Sequence, residues 1–469
     1  MSQTFLNALQ SMLGPGGVLT DAEDRAGYAG DLSVPLGSPF LAAVRPATTA
    51  NTAAVLALCQ RHGIVVTPRG GGSGLAGGAT PNDPRPGIVL SLERMRAVRD
   101  IDTVGNTITL DAGVTLHAAQ AAARDVNRMI GLDHGGAGSS QIGGNLSTNS
   151  GGNNVLRYGM ARDQVLGIEA VLLDGSVLNL LQPLRKNNSG YDLKQLLLGS
   201  EGTIGIITAA TLRLRPLPAQ RATAFVGLER IEDVLTLLEQ TLSAFGETVS
   251  AFELLPREAL DFWFDHLGAR KEPFSPLAPW HVLIEVDTTI AALDINAALT
   301  AFLGEMLEQG MVTDGAVAAS HAQRAEFWKL REGIAIASIE APAILKSDTA
   351  VPIRAIPAFI AQVRQAVDRV SPGARGMAFG HVGDGNIHFN VLPAPGEELA
   401  SFNGRLEAIA AAIEDAAIAL GGTVSAEHGI GSLKRAGLAR MKPASDLALM
   451  RRIKRLFDPD NLLNPGKIF

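Results

Sequence analysis

Two histidines seven residues apart, His381 and His388, flank an Asp384-Gly385 pair in the stretch GHVGDGNIHFNV. Asp-Gly between apolar residues is a strong signal for a two-residue hairpin turn. With those two residues as the turn, Val382 faces Ile387 and His381 faces His388. The imidazoles then share one sheet face, about 5 Å apart at Cβ, and Asn390 lies on the same face. The spacing suits two ligands of one divalent metal, and it also allows two histidines that merely satisfy each other or cap their strands. Further on, SAEHGIG supplies Glu427 and His428 beside Gly429 and Gly431. A His₂Glu set is a zinc arrangement that keeps one position open for water or substrate, so His381, His388 and Glu427 form the candidate metal set. His428 is expected to point off the opposite side of an extended segment. It is the candidate general base, because a hydroxyl polarised by a metal yields its proton readily to a neutral imidazole.

A second chemistry is carried by glycine. Residues 68–80 read PRGGGSGLAGGAT, in which Gly72, Gly74 and Gly77 fit GxGxxG after the strand-like run GIVVT. A nicotinamide-binding unit needs a helix to open at that loop. Here Pro81, Pro84 and Pro86 follow and forbid it. No GxxxxGK[ST] phosphate loop occurs either. What remains is a run of backbone N–H groups without side chains in the way, a concave nest suited to phosphate oxygens. Arg69 and Ser73 would add donors, and the bland alternative is a flexible surface turn. A second tract, GLDHGGAGSSQIGGNLSTNSGGNN (131–154), sets Gly143, Gly144, Gly151 and Gly152 around Asn145, Ser147, Thr148, Asn149 and Ser150. Amides and hydroxyls with so few charges fit a large polar ligand lying between two loops.

These residues must be positioned by a chain of 469 residues, enough for two or three domains. Apolar residues make up 46% and charged residues 19%, which excludes a disordered or fibrous chain, and 51 glycines exceed the usual share. A net charge of −7 without a basic run argues against a nucleic-acid binder. The single cysteine, Cys59, excludes an intrachain disulfide and reads as a buried, inert thiol. Without a signal peptide or a long apolar span, the chain is expected to be soluble and cytoplasmic. Residues 1–40 read as a helical lead-in, and residues 42–215 alternate short β-branched runs with helices and glycine loops. Pro216 and Pro218 mark a boundary. Beyond it, VSAFELLP, WHVLIEVD, GMAFGHV and NIHFNVL read as strands, and a proline-rich loop surrounds Pro273, Pro276 and Pro279. Helices are expected over 231–245, 290–309, 356–370 and 402–420, with a short helix and an extended end in FDPDNLLNPGKIF. The expected division is 1–217, 218–423 and a returning segment 424–469.

PRGGGSG, IGGNLSTNSGG and LLLGSEGTIGIIT (196–208) together resemble the FAD-binding domain of the vanillyl-alcohol oxidase and p-cresol methylhydroxylase flavoprotein superfamily. The C-terminal motifs resemble its branch that oxidises D-2-hydroxy acids, which includes D-2-hydroxyglutarate and D-lactate dehydrogenases. The resemblance runs from about Pro46 to Phe469. It implies an α+β fold: a two-subdomain FAD-binding domain of the p-cresol methylhydroxylase type and an α+β substrate domain built on an antiparallel sheet. It implies FAD contacts from Arg69, Gly70, Gly71, Gly72, Ser73 and Gly74, from Gly143, Gly144, Asn145, Thr148, Asn149 and Gly152, and around Gly202 and Ile207. Some members attach the flavin covalently through a histidine where this chain has Ser73, so dissociable FAD is expected. The resemblance also makes His381, His388 and Glu427 ligands of Zn²⁺ or another divalent metal, turns Asn390 and His428 toward substrate, and places substrate-binding cations at Arg331 and Lys346. Arginine offers a bidentate fork and lysine a mobile point charge. Either alone is more often a solvated surface cation, but Lys346 between APAIL and TAVPI is expected not to be freely exposed.

One departure concerns substrate. The D-2-hydroxyglutarate enzymes carry a threonine one helical turn after the arginine, where this chain has Ala335, which opens D-malate, D-lactate or bulkier acids. The match at Lys346 favours a diacid, so D-2-hydroxyglutarate is the expected substrate. Alternatives are a D-lactate or glycolate dehydrogenase feeding the respiratory chain, a zinc hydrolase built on the His₂Glu set, and a non-catalytic flavin or metal module. No NAD site is visible, so an external acceptor such as an electron-transfer flavoprotein or a quinone is expected, and a homodimer is a family expectation.

Overall fold

The structure, a computed structural model, describes every residue except Met1, Pro35 and Pro276. Pro276, part of the expected proline-rich loop, therefore lies outside the described residues. Packing divides the chain into two units: residues 1–152, 159–217 and 427–469, and residues 153–158 with 218–426. Two short stretches depart from the expected boundaries. Residues 153–158 belong to the second unit because Leu156 joins its core and Arg157 pairs with buried Asp287. Residues 424–426 stay there too, since Ala426 N–H bonds to Asp348.

The first unit holds a four-stranded sheet, a five-stranded sheet and a two-stranded pair, Arg128–Met129 with Arg215–Pro216. Thr48 caps the helix Thr49–His62 by accepting from Asn51 N–H, and Gly63 ends it in the left-handed conformation. The chain thereby turns into the strand Val65–Arg69, which pairs parallel with Gly87–Ser91 at the edge of a four-stranded sheet. An edge strand tolerates Pro68, and the strand's end delivers Gly70 and the glycine loop. The second sheet is antiparallel, in the order Val98–Asp102, Thr107–Asp111, Ile206–Arg213, Val165–Val171, Val177–Leu180. Cys59 is fully buried under the first sheet, and burial pushes its thiol pKa well up, which leaves it inert.

The second unit is one seven-stranded antiparallel sheet, in the order Asp314–Val317, Gln220–Leu228, Trp280–Thr288, Val249–Pro256, Arg375–His381, Asn386–Leu392, Thr349–Ala350. Helices cover both faces. Phe252, Leu254, Val282 and Ile284 pack on one side, and Ala251, Leu255, Leu283 and Phe379 on the other, against Phe327, Trp328, Leu330 and Ile334 of the helix His321–Glu340. Strand alternation therefore turns Glu253, between Ala251 and Leu255, to the face that this helix covers.

Several elements differ from expectation. The 290–309 helix starts at Ile295, where Asp294 accepts from Ala297 N–H as its cap. The 402–420 helix is two, Leu399–Asn403 and Leu406–Ala419, separated at Gly404-Arg405. The lead-in contains a short strand, Val18–Leu19, besides its helices. FDPDNLLNPGKIF holds no helix beyond Phe457, because buried Asp458 accepts from Leu462 and Leu463 N–H and folds the tail back. Among the described residues, no helix is long and apolar enough to cross a membrane.

Candidate functional site

In the first unit the glycine loop opens no helix: the chain from Gly70 to Pro86 is turns and bends. The two tracts lie directly on each other. A Cβ on Gly71 would stand 1.7 Å from Ser139 O, and one on Gly152 would stand 2.1 Å from Asp133 O. These two glycines are required by backbone approach within the protein itself. Among the described residues, none accepts a hydrogen bond from the N–H groups of Gly71, Gly72, Ser73 or Gly74. This row of donors, half-buried at Gly71, Gly72 and Ser73 and exposed at Gly74, on residues with little or no side chain, is what a pyrophosphate requires, so the tract fits the group. Arg69 spends its Nε and Nη1 on the carbonyls of Gly30 and Gly70, at 3.4 and 3.3 Å.

The second tract is not a loop throughout. Ile142–Thr148 is a short helix that takes in Gly143, Gly144, Asn145 and Thr148, and Asn149 caps its end in the left-handed conformation. Asn145 is buried, with Oδ1 3.2 Å from His134 Nε2 and Nδ2 3.3 Å from Ser140 Oγ. Thr148 bonds back to Gly144 O, and Asn149 Oδ1 accepts from Arg162 N–H. Gly202 follows Glu201 in a buried turn, and Ile207 lies in the core strand Ile206–Arg213.

Glu201 was not singled out by sequence. Its buried carboxylate accepts from Ile430 and Gly431 N–H, each at 2.7 Å, and so fixes the segment that carries Glu427 and His428. Burial raises its pKa, against the pull of those two N–H groups. This segment is not extended: Gly429 and Gly431 have φ of 82° and 52°. His428 Nε2 consequently lies 3.8 Å from Glu427 Oε1, so the two side chains converge where divergence was expected.

In the second unit the hairpin register differs from the expected one. Asp384 does not take the positive φ that a two-residue Asp-Gly turn needs. Val382–Asp384 is instead a 3₁₀ turn, and only Gly385 is left-handed, with Asp384 Oδ1 accepting from Asn386 N–H. His381 therefore pairs with Asn386, and His388 with Phe379. The two imidazoles are diagonal neighbours on one face, 5.8 Å between ring centroids, with ring nitrogens within 4.8 Å of each other.

Both rings are held the same way. His381 Nδ1 lies 2.7 Å from Glu253 Oε1, and His388 Nδ1 lies 3.1 Å from Ser347 O. Carboxylate and carbonyl oxygens only accept, so in its neutral form each ring carries its proton on Nδ1 and keeps a lone pair on Nε2. A carboxylate or carbonyl behind Nδ1 is the support metal-ligating histidines have, so this donor set fits a divalent metal. Glu427 is the first residue after Ala426, whose N–H bonds to buried Asp348. Asp348 also accepts from Ser425 Oγ and Asn386 Nδ2.

Arg331 lies on the helix His321–Glu340 and is 6% exposed. Its Nε donates to Glu253 Oε2 at 2.7 Å, Nη2 lies 3.4 Å from His381 Nε2, and the guanidinium sits 5.3 Å from the Phe379 ring centroid. It is a buried cation beside the histidine pair. Burial pushes the Glu253 carboxyl up, but His381 and Arg331 outweigh this and hold it at about 2. Asn390 is buried, and both ends of its amide are engaged, Oδ1 by Ser347 N–H and Nδ2 by Ser338 Oγ. Lys346 is exposed, contrary to expectation, because it follows the end of its helix in an irregular stretch. Partial burial of its side chain still lowers its pKa. Sequence reading missed Glu253 and Asp348 as well as Glu201. The available signal was a lone carboxylate inside apolar text, as in VSAFELLP and LLLGSEGTIGII.

Comparison with known proteins bears on both units. The model of the FAD linked oxidases, C-terminal domain, matches residues 217–468, and an FAD binding domain model matches residues 40–181. A D-2-hydroxyglutarate dehydrogenase of Xanthomonas citri pv. viticola is 38% identical over 92% of this chain and 89% of its own length. A mitochondrial D-2-hydroxyglutarate dehydrogenase of Bos taurus is 36% identical over 100% of this chain and 84% of its own. Among solved structures, p-cresol methylhydroxylase with substrate bound matches at a TM-score of 0.77 and 16% identity, over 99% of this chain and 96% of its own. That likeness concerns the fold, which is of the p-cresol methylhydroxylase type.

Proposed function

The chain belongs to the FAD-linked oxidase family, in its D-2-hydroxy-acid dehydrogenase branch, and we propose that it oxidises D-2-hydroxyglutarate to the 2-oxo acid using FAD and a divalent metal. It is an FAD-dependent oxidoreductase acting on a CH–OH donor. The observation that carries the metal reading is that both His381 and His388 set Nδ1 against an acceptor oxygen, a placement that leaves the Nε2 lone pairs as ligands beside a buried guanidinium. A cation next to two metal-ligand nitrogens suits the adjacent oxygens of a 2-hydroxy carboxylate.

FAD supplies the redox step by taking up the substrate's Cα hydrogen as hydride, and a divalent metal lowers the pKa of a hydroxyl. The chain does the rest. The N–H groups of Gly71, Gly72, Ser73 and Gly74 hold the pyrophosphate, and Ser73 leaves the flavin dissociable. Gly70, Gly143, Gly144, Asn145, Thr148, Asn149, Gly152, Gly202 and Ile207 line the remaining course of the cofactor. His381, His388 and Glu427 hold the metal. Arg331 orients the substrate carboxylate, His428 receives the hydroxyl proton on a ring nitrogen, and exposed Lys346 meets the distal carboxylate. Electrons leave to an external acceptor, an electron-transfer flavoprotein or a quinone.

A second reading, D-lactate or another D-2-hydroxy acid, is favoured by one observation: Ala335, a turn beyond Arg331 on the same helix, offers no hydroxyl for a distal carboxylate. Anaerobic flavin bleaching against paired D- and L-2-hydroxy acids tests both. D-2-hydroxyglutarate is expected to bleach the flavin fastest. Faster bleaching by D-lactate would select the second reading, and bleaching by L-enantiomers alone would overturn both.

A further inference from the structure

Glu253 is 1% exposed, in the strand Val249–Pro256, and its register partner is His381. Its two oxygens are divided between two donors: Oε1 faces His381 Nδ1 and Oε2 faces Arg331 Nε, each at 2.7 Å. A buried ion pair of Arg331 and Glu253 alone would need no histidine. As a device for stability such a pair does no better than well-packed apolar residues. The second oxygen gives the site something an ion pair does not. An acceptor-only group at Nδ1 forces the ring's proton there and leaves Nε2 unprotonated.

We propose that Glu253 is a positioning residue that locks His381 as its Nδ1–H tautomer, presenting Nε2 to a divalent metal, and that the same carboxylate ties the guanidinium of Arg331 to that ligand. The proposal rests on the reading of His381 as a metal ligand, and it concerns what prepares the ring before any metal arrives. His388 obtains the same tautomer from the backbone carbonyl of Ser347, which side-chain substitution cannot remove. Of the two histidine ligands, His381 takes its proton's position from a side chain and His388 takes it from the backbone. One carboxylate thereby couples metal affinity to the orientation of the cation beside it.

The near-isosteric change Glu253→Gln tests this because an amide has one acceptor oxygen and one NH₂ donor, while Glu253 faces two donors. Arg331 cannot give up its Nε proton, whereas a neutral imidazole moves its proton between nitrogens at little cost. The amide oxygen will therefore face Arg331 and the NH₂ will face Nδ1. Against only the long 3.4 Å contact from Arg331 Nη2, the ring's proton is driven to Nε2, and the lone pair is turned away from the metal.

The experiment uses full-length, flavin-loaded protein stripped of metal and labelled with ¹⁵N-histidine. Long-range ¹H–¹⁵N correlation spectra report each ring's tautomer, and His381→Ala identifies the His381 signal. Zn²⁺ affinity is then measured by competition with a chelator, with bound flavin as the check that the fold is intact. Wild-type His381 is expected as Nδ1–H and Glu253→Gln as Nε2–H, with Zn²⁺ bound about 10–100-fold more weakly by the variant. Wild-type His381 found as Nε2–H overturns the proposal, and it does so even if the variant fails to fold. An unchanged tautomer with unchanged Zn²⁺ affinity in Glu253→Gln also overturns it. A wild type that shows the Nδ1–H signature but binds no Zn²⁺ leaves Glu253's control of the tautomer standing and removes the metal, which overturns the ligand-presenting half of the proposal and the metal part of the function.

Discussion

Replacing His281 tests the acid limit of the unit that carries the histidine hairpin. His281 is fully buried on the strand Trp280–Thr288, stacked on Phe225 at 5.4 Å between centroids, with Nδ1 3.1 Å from Leu255 O. Its Nε2 is buried and has no partner among the described residues. Burial, the largest influence, pulls its pKa from 6.5 to about 4. The Leu255 carbonyl opposes the shift, and Arg257 adds to it. As pH falls below about 6.5, the unfolded chain binds a proton there that the folded chain refuses until about pH 4, so stability drops across that window and levels off beneath it. From pH 7.5 to pH 5 this one group removes about 2 kcal/mol, some 1.5 units at about 1.36 kcal/mol each. In a unit of this size that is a fall in melting temperature of about 4–8 °C. The assay is calorimetry of wild type and His281→Phe at both pH values. Phenylalanine keeps the ring contact with Phe225 but cannot titrate, so the variant's acid-induced fall should be smaller by that amount, even though its melting point at pH 7.5 starts lower without the Leu255 bond. The carboxyls of Glu253 and Glu285, both held below their ordinary 4.5, lose their contribution only as pH falls through about 4.5 and further down, outside the comparison of pH 7.5 with pH 5. Equal falls in the two proteins would refute the burial of a neutral imidazole at this position.

Gly71→Ala drives a Cβ to within 1.7 Å of Ser139 O, so the glycine loop must withdraw. The variant should lose flavin on gel filtration, read from its flavin-to-protein absorbance ratio, and full retention would count against the loop's role. Lys454→Met removes a buried ammonium that donates to Thr203 O and Leu463 O at 2.7 Å and pairs with Asp458. The stranded carboxylate should cost about 3–5 kcal/mol and open the C-terminal tail to proteolysis; an unaltered melt and digest would show that the tail is held otherwise. Arg331→Lys keeps the charge but loses the fork shared between Glu253 and His381. It should raise KM for D-2-hydroxyglutarate more than it lowers kcat, and an unchanged KM would remove Arg331 from carboxylate binding.

The strands of the second unit were legible in the sequence almost residue by residue. VSAFELLP and NIHFNVL occupy Val249–Pro256 and Asn386–Leu392, because period-two apolar text bounded by breakers has few other solutions. The ends of helices were less so. The 290–309 pattern is apolar enough to begin anywhere after Thr288, and only the side chain of Asp294 on Ala297 N–H fixes its start. The hairpin register failed for a similar local reason. Asp-Gly states that a turn exists, but a 3₁₀ turn with one left-handed glycine consumes two more residues than the tight form and moves every pairing with it. The side of the sheet was nevertheless kept, since the pairing shifted by an even number and alternation has period two.

The site was legible where its residues stand in polar, glycine-rich text and opaque where they stand in apolar text. His381 and His428 stand directly beside glycines and lead to His388 across the turn and to Glu427 next in the chain; Glu253 has no such marker, in a strand whose every residue is buried. Yet a carboxylate in a strand covered on both faces carries its own signal. It cannot reach water, and an unpaired charge in such a place is too costly to persist, so the chain must supply its partners. Arg331, on an otherwise buried helical face, and His381, at the end of a buried strand, were singled out for other reasons. Each brings a buried charge or polar ring nitrogen that needs a partner in the same layer. Had the demand for partners been posed at Glu253, the three would have been drawn together from the sequence, and the tautomer of His381 would have followed from the chemistry of a carboxylate alone.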